Sequence, residues 1–295
     1  MSLKQTIKNL LPGWDGRLAA HHVGYLGDLK VHRAVPYTAT NPMTVAKKLS
    51  LMQSEEIDIV LTTWQGAYAA SCHLDAQLTV AECQKIGMQF GLLLDPWSAK
   101  LNSKGGEDNN YTANVTSSLK AASTQAILNN PAYMPEKYIL DFNTGADLTT
   151  LAATFPSYNF LQQNVGFSWI SIPNISDSPL RNAAAVANLK SQHANPKMKI
   201  ASFCESFDDS GQPLPVGVPS QAAFDAAGGK RDPTKSVWGG NARILESFAG
   251  QFMEQNIMTI SPSIAIIALL TWDDYDEQSS GPYEKTVAER LGMVW

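Results

Sequence analysis

Five carboxylates stand where apolar runs of the chain give out: Asp95, Asp141, Glu205, Asp274 and Glu277. Aromatic residues accompany them at or near the same run ends, namely Trp64, Trp97, Trp169 and Trp272. The densest group is "WDDYDE", residues 272–277, where Asp273, Asp274, Asp276 and Glu277 put four acids within five positions. Carboxylates gathered in one place repel, and the repulsion raises the pKa of at least one of them, so that a neutral acid can stand beside an ionised base. Such a pair is what hydrolysis of a glycosidic bond uses, one carboxyl protonating the leaving oxygen while the other serves as base or nucleophile. The aromatics suit the same ligand, because the apolar face of a sugar ring stacks on Trp or Tyr while its hydroxyls bond to carboxylates and amides. Taken singly, each acid would equally serve as a loop cap or salt-bridge partner, and each Trp as core packing. Only a fold that brings them together gives them chemistry.

That fold is legible in the apolar runs themselves. "LAAHHVGY" (18–25), "IDIVLTTW" (57–64), "FGLLLDPW" (90–97), "KYILDF" (137–142), "VGFSWISI" (165–172), "KIASF" (199–203) and "IAIIALLTW" (264–272) are continuously rather than alternately hydrophobic. This is the pattern of parallel strands covered on both faces. An eighth strand is expected near "YNFLQQ" (158–163). Helical patterns lie between the runs. Pro42 suits a first helical position, with Val45, Leu49 and Met52 following on one face. "TVAE" (79–82) reads as a capping box that starts a helix, and Gly87 as the residue that closes it. Ser178 and Pro179 begin another helix, and Ile244, Phe248 and Phe252 mark one at about 240–255.

Strand–helix alternation means a parallel α/β fold, doubly wound or closed into a barrel. A doubly wound nucleotide-binding sheet carries a glycine-rich turn after its first strand, and "GYLGDL" (24–29) is neither G-x-G-x-x-G nor a phosphate-binding loop. A barrel gathers its strand C-termini at one mouth, where the acids and aromatics of this chain would meet. The expectation is a single (β/α)8 TIM barrel spanning residues 1–295, with 1–16 as an N-terminal extension. "NSKGGEDNN" (102–110) reads as an exposed loop at its rim.

Composition agrees with an ordinary globular enzyme or binding protein: 44% hydrophobic and 17% charged, with net charge -5. The negative balance and scattered basic residues argue against a nucleic-acid partner. No run approaches the length of a membrane span and no secretory h-region opens the chain, so a soluble protein without a membrane partner is expected. Three cysteines, Cys72, Cys83 and Cys204, do not make a disulfide framework. Cys72, His73 and Cys83 lack zinc spacing, "ESFDDSG" (205–211) lacks the closing Glu of a calcium loop, and neither a nucleophile elbow nor a triad spacing is present. No metal or cofactor is expected; a glycan is the expected partner. His21 and His22, adjacent on a strand, must point to opposite faces, so one of them at most reaches the mouth.

The residues also carry a resemblance. "LLTWDDYDEQSSGP" (269–282) resembles the "ITWNDYGES…GP" end of the last barrel strand in glycoside hydrolase family 71, the fungal α-1,3-glucanases, and the "WNEWGE" version in family 99-like proteins. Trp272, Asp274, Tyr275, Glu277, Gly281 and Pro282 fall on matching types. "AHHVGY" (20–25) is similar to the family's "AH-x-M-V-G" opening and aligns His21 with its histidine; "LLLDPW" (92–97) resembles its "SFD" strand end and aligns Asp95 with a site acid. The resemblance implies a TIM barrel and a glycoside hydrolase acting on an α-linked glucan with inversion. Asp95, Asp274 and Glu277 would be its catalytic carboxyls. His21, Trp64, Trp97, Asp141, Glu205, Trp272 and Tyr275 join them as sugar-binding candidates, Glu205 on position alone. Departures stand beside the matches: Asp273 replaces the family's Asn, Asp276 its Gly, and Thr63 the acid usual before the second-strand Trp. The "W-H-x-E-P-Y" signature of family 99 mannosidases is absent. A catalytically inactive carbohydrate-binding barrel is the alternative that these departures support.

Overall fold

Apolar runs buried on both faces do become strands. In the computed structural model the described residues are 1–22, 42–95, 99–104, 106–141, 144–162, 199–204 and 257–270. Within them the strands are β1 Arg17–His22, β2 Ile59–Trp64, β3 Gln89–Leu94, β4 Tyr138–Asp141, β5 Asn159–Gln162, β6 Ile200–Cys204 and β7 Ile266–Leu270. β5 is the strand expected in "YNFLQQ". The run at 165–172 and the helices expected from Ser178 and at 240–255 lie outside the described residues. The helices are α1 Leu3–Leu10, α2 Pro42–Ser54, α3 Ala70–Ile86, α4 Tyr111–Lys120, α5 Ala122–Leu128 and α6 Leu148–Thr154.

The chain divides into two compact units. The first contains β1 to β5 in the order β5-β4-β3-β2-β1, every neighbouring pair parallel. Antiparallel hairpins need short turns, whereas these strands are joined through helices, as parallel neighbours require. All six residues of β2 are buried, and so are five of six in β1 and β3. β5 is the exception: no residue of it is fully buried, which explains why its apolar signal in the sequence is weak.

The base of this unit is tied by charge. The Asp58 carboxylate, just before β2, accepts the Leu18 backbone N–H at 2.7 Å and pairs with Lys4 Nζ at 2.7 Å. Glu55 accepts the N–H of Leu3 at 2.7 Å, occupying one of the free donors that every helix start leaves exposed, here that of α1. Arg17, at the start of β1, pairs with Glu136 and donates to Gln89 at the start of β3.

α2 starts at Pro42 as expected and buries Val45, Leu49 and Met52. α3 corrects a sequence expectation. Thr79 and Glu82 do not start a helix; both lie inside α3, which begins nine residues earlier at Ala70, behind Ala69, a residue with no capping side chain. Thr79 is wholly buried there. The end was read correctly: Gly87 takes a left-handed conformation, φ +76°, and sends its N–H back to the Cys83 carbonyl.

The loop at 101–110 is largely exposed and organised by two side chains. Asn102 Oδ1 accepts the N–H groups of Lys104 and Gly106, and Asp108 accepts from Asn102, from the Asn110 N–H and from Asn114 of α4. These donors, the Asn110 N–H foremost, hold the Asp108 carboxyl below the usual aspartate range.

In the second unit, of which 5–16, 199–204 and 257–270 are described, β6 and β7 are parallel, with Cys204 opposite Leu270. Trp14 is buried, and its indole N–H donates to the Ile264 carbonyl at 2.8 Å. Among the described residues no helix is long and apolar enough to cross a membrane.

Candidate functional site at the strand C-termini

Four of the residues singled out in the sequence fall among those described: His21, Trp64, Asp95 and Asp141. All four sit at the C-terminal ends of neighbouring parallel strands, β1 to β4, within the first unit. Trp97, Glu205, Trp272, Asp274, Tyr275 and Glu277 lie outside the described residues.

Pairing register sorts these ends into two faces. His22 stands opposite Thr62, Trp64 opposite Leu94, and Leu94 opposite Asp141, so His22, Thr62, Trp64 and Asp141 share one face. His21 stands opposite Leu61, and Thr63 opposite Leu93, so His21 and Thr63 share the other. The sequence expectation that the two histidines part company is met, and each imidazole has a partner of its own.

On the first face the partners come from α3. His22 Nε2 lies 3.4 Å from Oδ1 and 3.3 Å from Oδ2 of Asp75, and both residues are buried. Trp64 has no exposed surface; its indole N–H donates to His73 Nδ1 at 3.1 Å, with the rings tilted against one another. Because an indole N–H can only donate, Nδ1 of His73 must be the unprotonated nitrogen and the proton sits on Nε2. Burial presses the same way, holding the His73 pKa below its ordinary value. Cys72 ties α3 to the end of β2: its sulfur accepts the Gln65 N–H at 3.0 Å and its thiol donates to the Thr63 carbonyl at 3.4 Å. Burial pushes this thiol far up, with the Asp75 and Asp95 carboxylates adding to the effect, so it stays protonated and acts as a hydrogen-bonding wedge.

On the second face His21 Nε2 makes a close contact with Thr63 Oγ1, both side chains being buried. Asp95 follows β3 directly and is half-buried; its N–H donates to the Trp64 carbonyl at 3.2 Å, which carries the β2–β3 ladder one residue beyond the strand. On the first face again, Asp141 is buried at the end of β4, where the Thr144 hydroxyl and, at 3.4 Å, the Thr144 N–H donate to its carboxylate. Thr144 Oγ1 in turn accepts the Ala146 N–H, so the carboxylate organises the turn leading to α6.

Sequence reading missed His73 and Asp75. Their signal was available but ambiguous: Cys72, Asp75, Ala76, Thr79, Val80 and Cys83 are buried at helical spacing, yet Asp75 and Thr79 interrupt the stripe with polar groups, so the inward face of α3 does not look like one. Among the described residues no group of three or more His, Cys, Asp and Glu is placed to hold a metal ion.

A parallel α/β chain whose acids and imidazoles collect at the C-terminal strand ends belongs to the class of which the TIM barrel is the best-known form. Comparison with solved structures makes this specific. The chain is similar to the GH99 endo-α-mannosidase of Bacteroides thetaiotaomicron, with TM-score 0.57 and 12% identity over 90% of this chain and 87% of that one. The same enzyme in complex with bis-tris-propane gives TM-score 0.56 and 13% identity over 90% and 86%. A third structure, a glycoside hydrolase-like protein, gives TM-score 0.58 and 8% identity over 96% and 95%. The shared property is the fold, and it is the family 99-like fold that the sequence resembles. No protein-family model matches the chain, and no curated protein matches it. The likeness to family 71 therefore stands on the motifs alone.

Proposed function

We propose that this protein is a carbohydrate-active (β/α)8 barrel, one domain over residues 1–295, that hydrolyses a glycosidic bond in an oligosaccharide or polysaccharide. The observation that carries this reading is the fold shared with a glycoside hydrolase over nine-tenths of the chain. Acids at strand ends support it, Asp95 and Asp141 among the described residues. In this reading Asp95, Asp274 and Glu277 supply the acid and its partner, while His21, Trp64, Trp97, Asp141, Glu205, Trp272 and Tyr275 form or frame the sugar site. The family 71 motif favours an α-linked glucan. Carboxyls about 5 Å apart would retain configuration, and a separation of roughly 6.5–9.5 Å would invert it.

One observation favours a second reading, a barrel that binds glycans without cleaving them. Where the resemblance implies an acid before Trp64, Thr63 stands, and its hydroxyl is taken up by His21. The two readings separate in one experiment: a panel of α-linked glucans and mannans assayed in parallel for retention and for new reducing ends. Release of reducing ends that disappears with Glu277→Gln supports hydrolysis; retention without release supports the binding barrel; neither on any glycan refutes both.

A further inference from the structure

We propose that Thr63 is a positioning residue, whose hydroxyl fixes His21 as the Nδ1–H tautomer with Nε2 as the acceptor. The inference rests on the reading of His21 as part of the sugar site, and adds to it a residue that neither the family motif nor the fold assigns.

The reasoning starts from register. His21 lies opposite Leu61, so its same-face neighbour one step further along β2 is Thr63, and the side chains meet there at the C-terminal edge of the two strands. Thr63 is 4% exposed and His21 7%. A hydroxyl withheld from water must still place its proton. The acceptor that Thr63 Oγ1 meets among the described residues is His21 Nε2. If the hydroxyl instead accepted from Nε2–H, its own proton would find no acceptor among the described residues and the buried Nδ1 would stand as a further acceptor; donation to Nε2 leaves fewer groups unmatched. The pair is therefore O–H donating to Nε2, which leaves the imidazole proton on Nδ1.

The hydroxyl is itself held in place. The Thr63 carbonyl accepts from Cys72, whose sulfur also receives the Gln65 N–H, so the peptide that carries the hydroxyl is clamped from α3 on the opposite face of the sheet. Asp95 stands on the next strand, its N–H bonded to the residue after Thr63. An imidazole of fixed tautomer beside a site carboxylate presents a fixed donor and acceptor pattern to whatever hydroxyls enter. A rotating imidazole would present two.

Protein labelled with 15N-histidine tests this. Five histidines give five imidazole patterns, and His21→Gln identifies the one to follow. Wild type should show His21 with a protonated Nδ1 and an unprotonated Nε2, Thr63→Ser should keep that pattern, and Thr63→Val should lose it, giving a mixture or the other tautomer. Where a glycan is bound, Thr63→Val should weaken it by about tenfold, the equivalent of about 1.4 kcal/mol, with Thr63→Ser within about threefold of wild type. The proposal is overturned if wild type shows Nε2–H, or if Thr63→Val leaves the His21 pattern as it was. It is equally overturned if the tautomer changes but affinity for the retained glycan does not. A wild-type protein that retains no glycan counts against the function proposed above, and the tautomer pattern then decides the role of Thr63 by itself.

Discussion

Gly16 offers a test of how the start of β7 is held, because no side chain fits there. A Cβ built on Gly16 would lie 2.5 Å from the Ala265 carbonyl oxygen, 2.6 Å from Trp14 Nε1 and 2.9 Å from Trp14 Cε2. Neither neighbour can give way at little cost. The Ala265 oxygen is backbone one residue before β7, and the Trp14 ring is 3% exposed and fixed by its hydrogen bond to the Ile264 carbonyl. The Cβ meets both neighbours, so Gly16→Ala must displace the peptide, an overpacking cost of about 1–3 kcal/mol, and swing the indole away, leaving a buried donor and acceptor unmatched at about 1–3 kcal/mol again. A combined loss of about 2–6 kcal/mol is expected, read as a lower urea midpoint with an unchanged m-value. Gly13→Ala is the control: it lies in the same segment with nothing within 4 Å, but at φ +89°, so its cost is the left-handed strain alone, about 1–2 kcal/mol. On a Trp14→Phe background the indole N–H is gone and Gly16→Ala should cost less, a coupling that a double-mutant cycle reads directly. A Gly16→Ala protein no less stable than Gly13→Ala, or additivity with Trp14→Phe, would refute the reasoning.

Three further outcomes are expected. If Asp95 takes part in bond cleavage, Asp95→Asn should lower turnover on a cleaved glycan by about 10²–10⁴-fold while leaving the unfolding midpoint near wild type; an equal loss of both would make it a structural residue. Asp75→Ala removes the buried carboxylate that His22 Nε2 meets and should cost about 1–3 kcal/mol in denaturant titration, more than loss of a surface carboxylate would. His73, held below its ordinary pKa by burial, binds its proton more readily in the unfolded chain; stability should fall as pH drops below the unfolded value of about 6.5, and His73→Gln, which keeps an acceptor for Trp64, should flatten that slope in pH-resolved melts.

What the sequence made legible follows from how burial writes itself into residue types. Strands closed on both faces, such as β2 and β3, are predominantly apolar, and the runs at 57–64 and 90–97 locate them to within three residues at each end. Pro42 and Gly87 mark helix ends by backbone constraints that act whatever the surroundings. α3 was misread because its start has no capping side chain to announce it, while Thr79 and Glu82 imitate a capping box in its interior. Of the candidate residues, the four described ones were legible as strand ends, since parallel topology fixes that edge, and the division of the two histidines followed from strand alternation. Partners were not legible: which residues of α3 meet His22 and Trp64 depends on how the helix packs across the sheet, and the inward stripe that decides it is broken by Asp75 and Thr79.

The adjacent histidines of β1 carry a last consequence, for fidelity of strand pairing. A slip of β1 by one residue exchanges its faces, and at most strands that alone would be ruinous. Here the C-terminal end is partly degenerate: a β1 shifted so that His21 takes the place of His22 would still offer an imidazole to Asp75 and an alanine in the place of Ala20, because "AAHH" repeats each residue once. What that end loses is the imidazole opposite Thr63, whose place Ala20 would take. The unambiguous mark is at the opposite end, where the slip would drive the Arg17 guanidinium into the buried place of Leu18 and take it from Glu136 and Gln89. Whether a histidine looks towards Thr63 at all is thus proofread by an ion pair at the far end of the same strand.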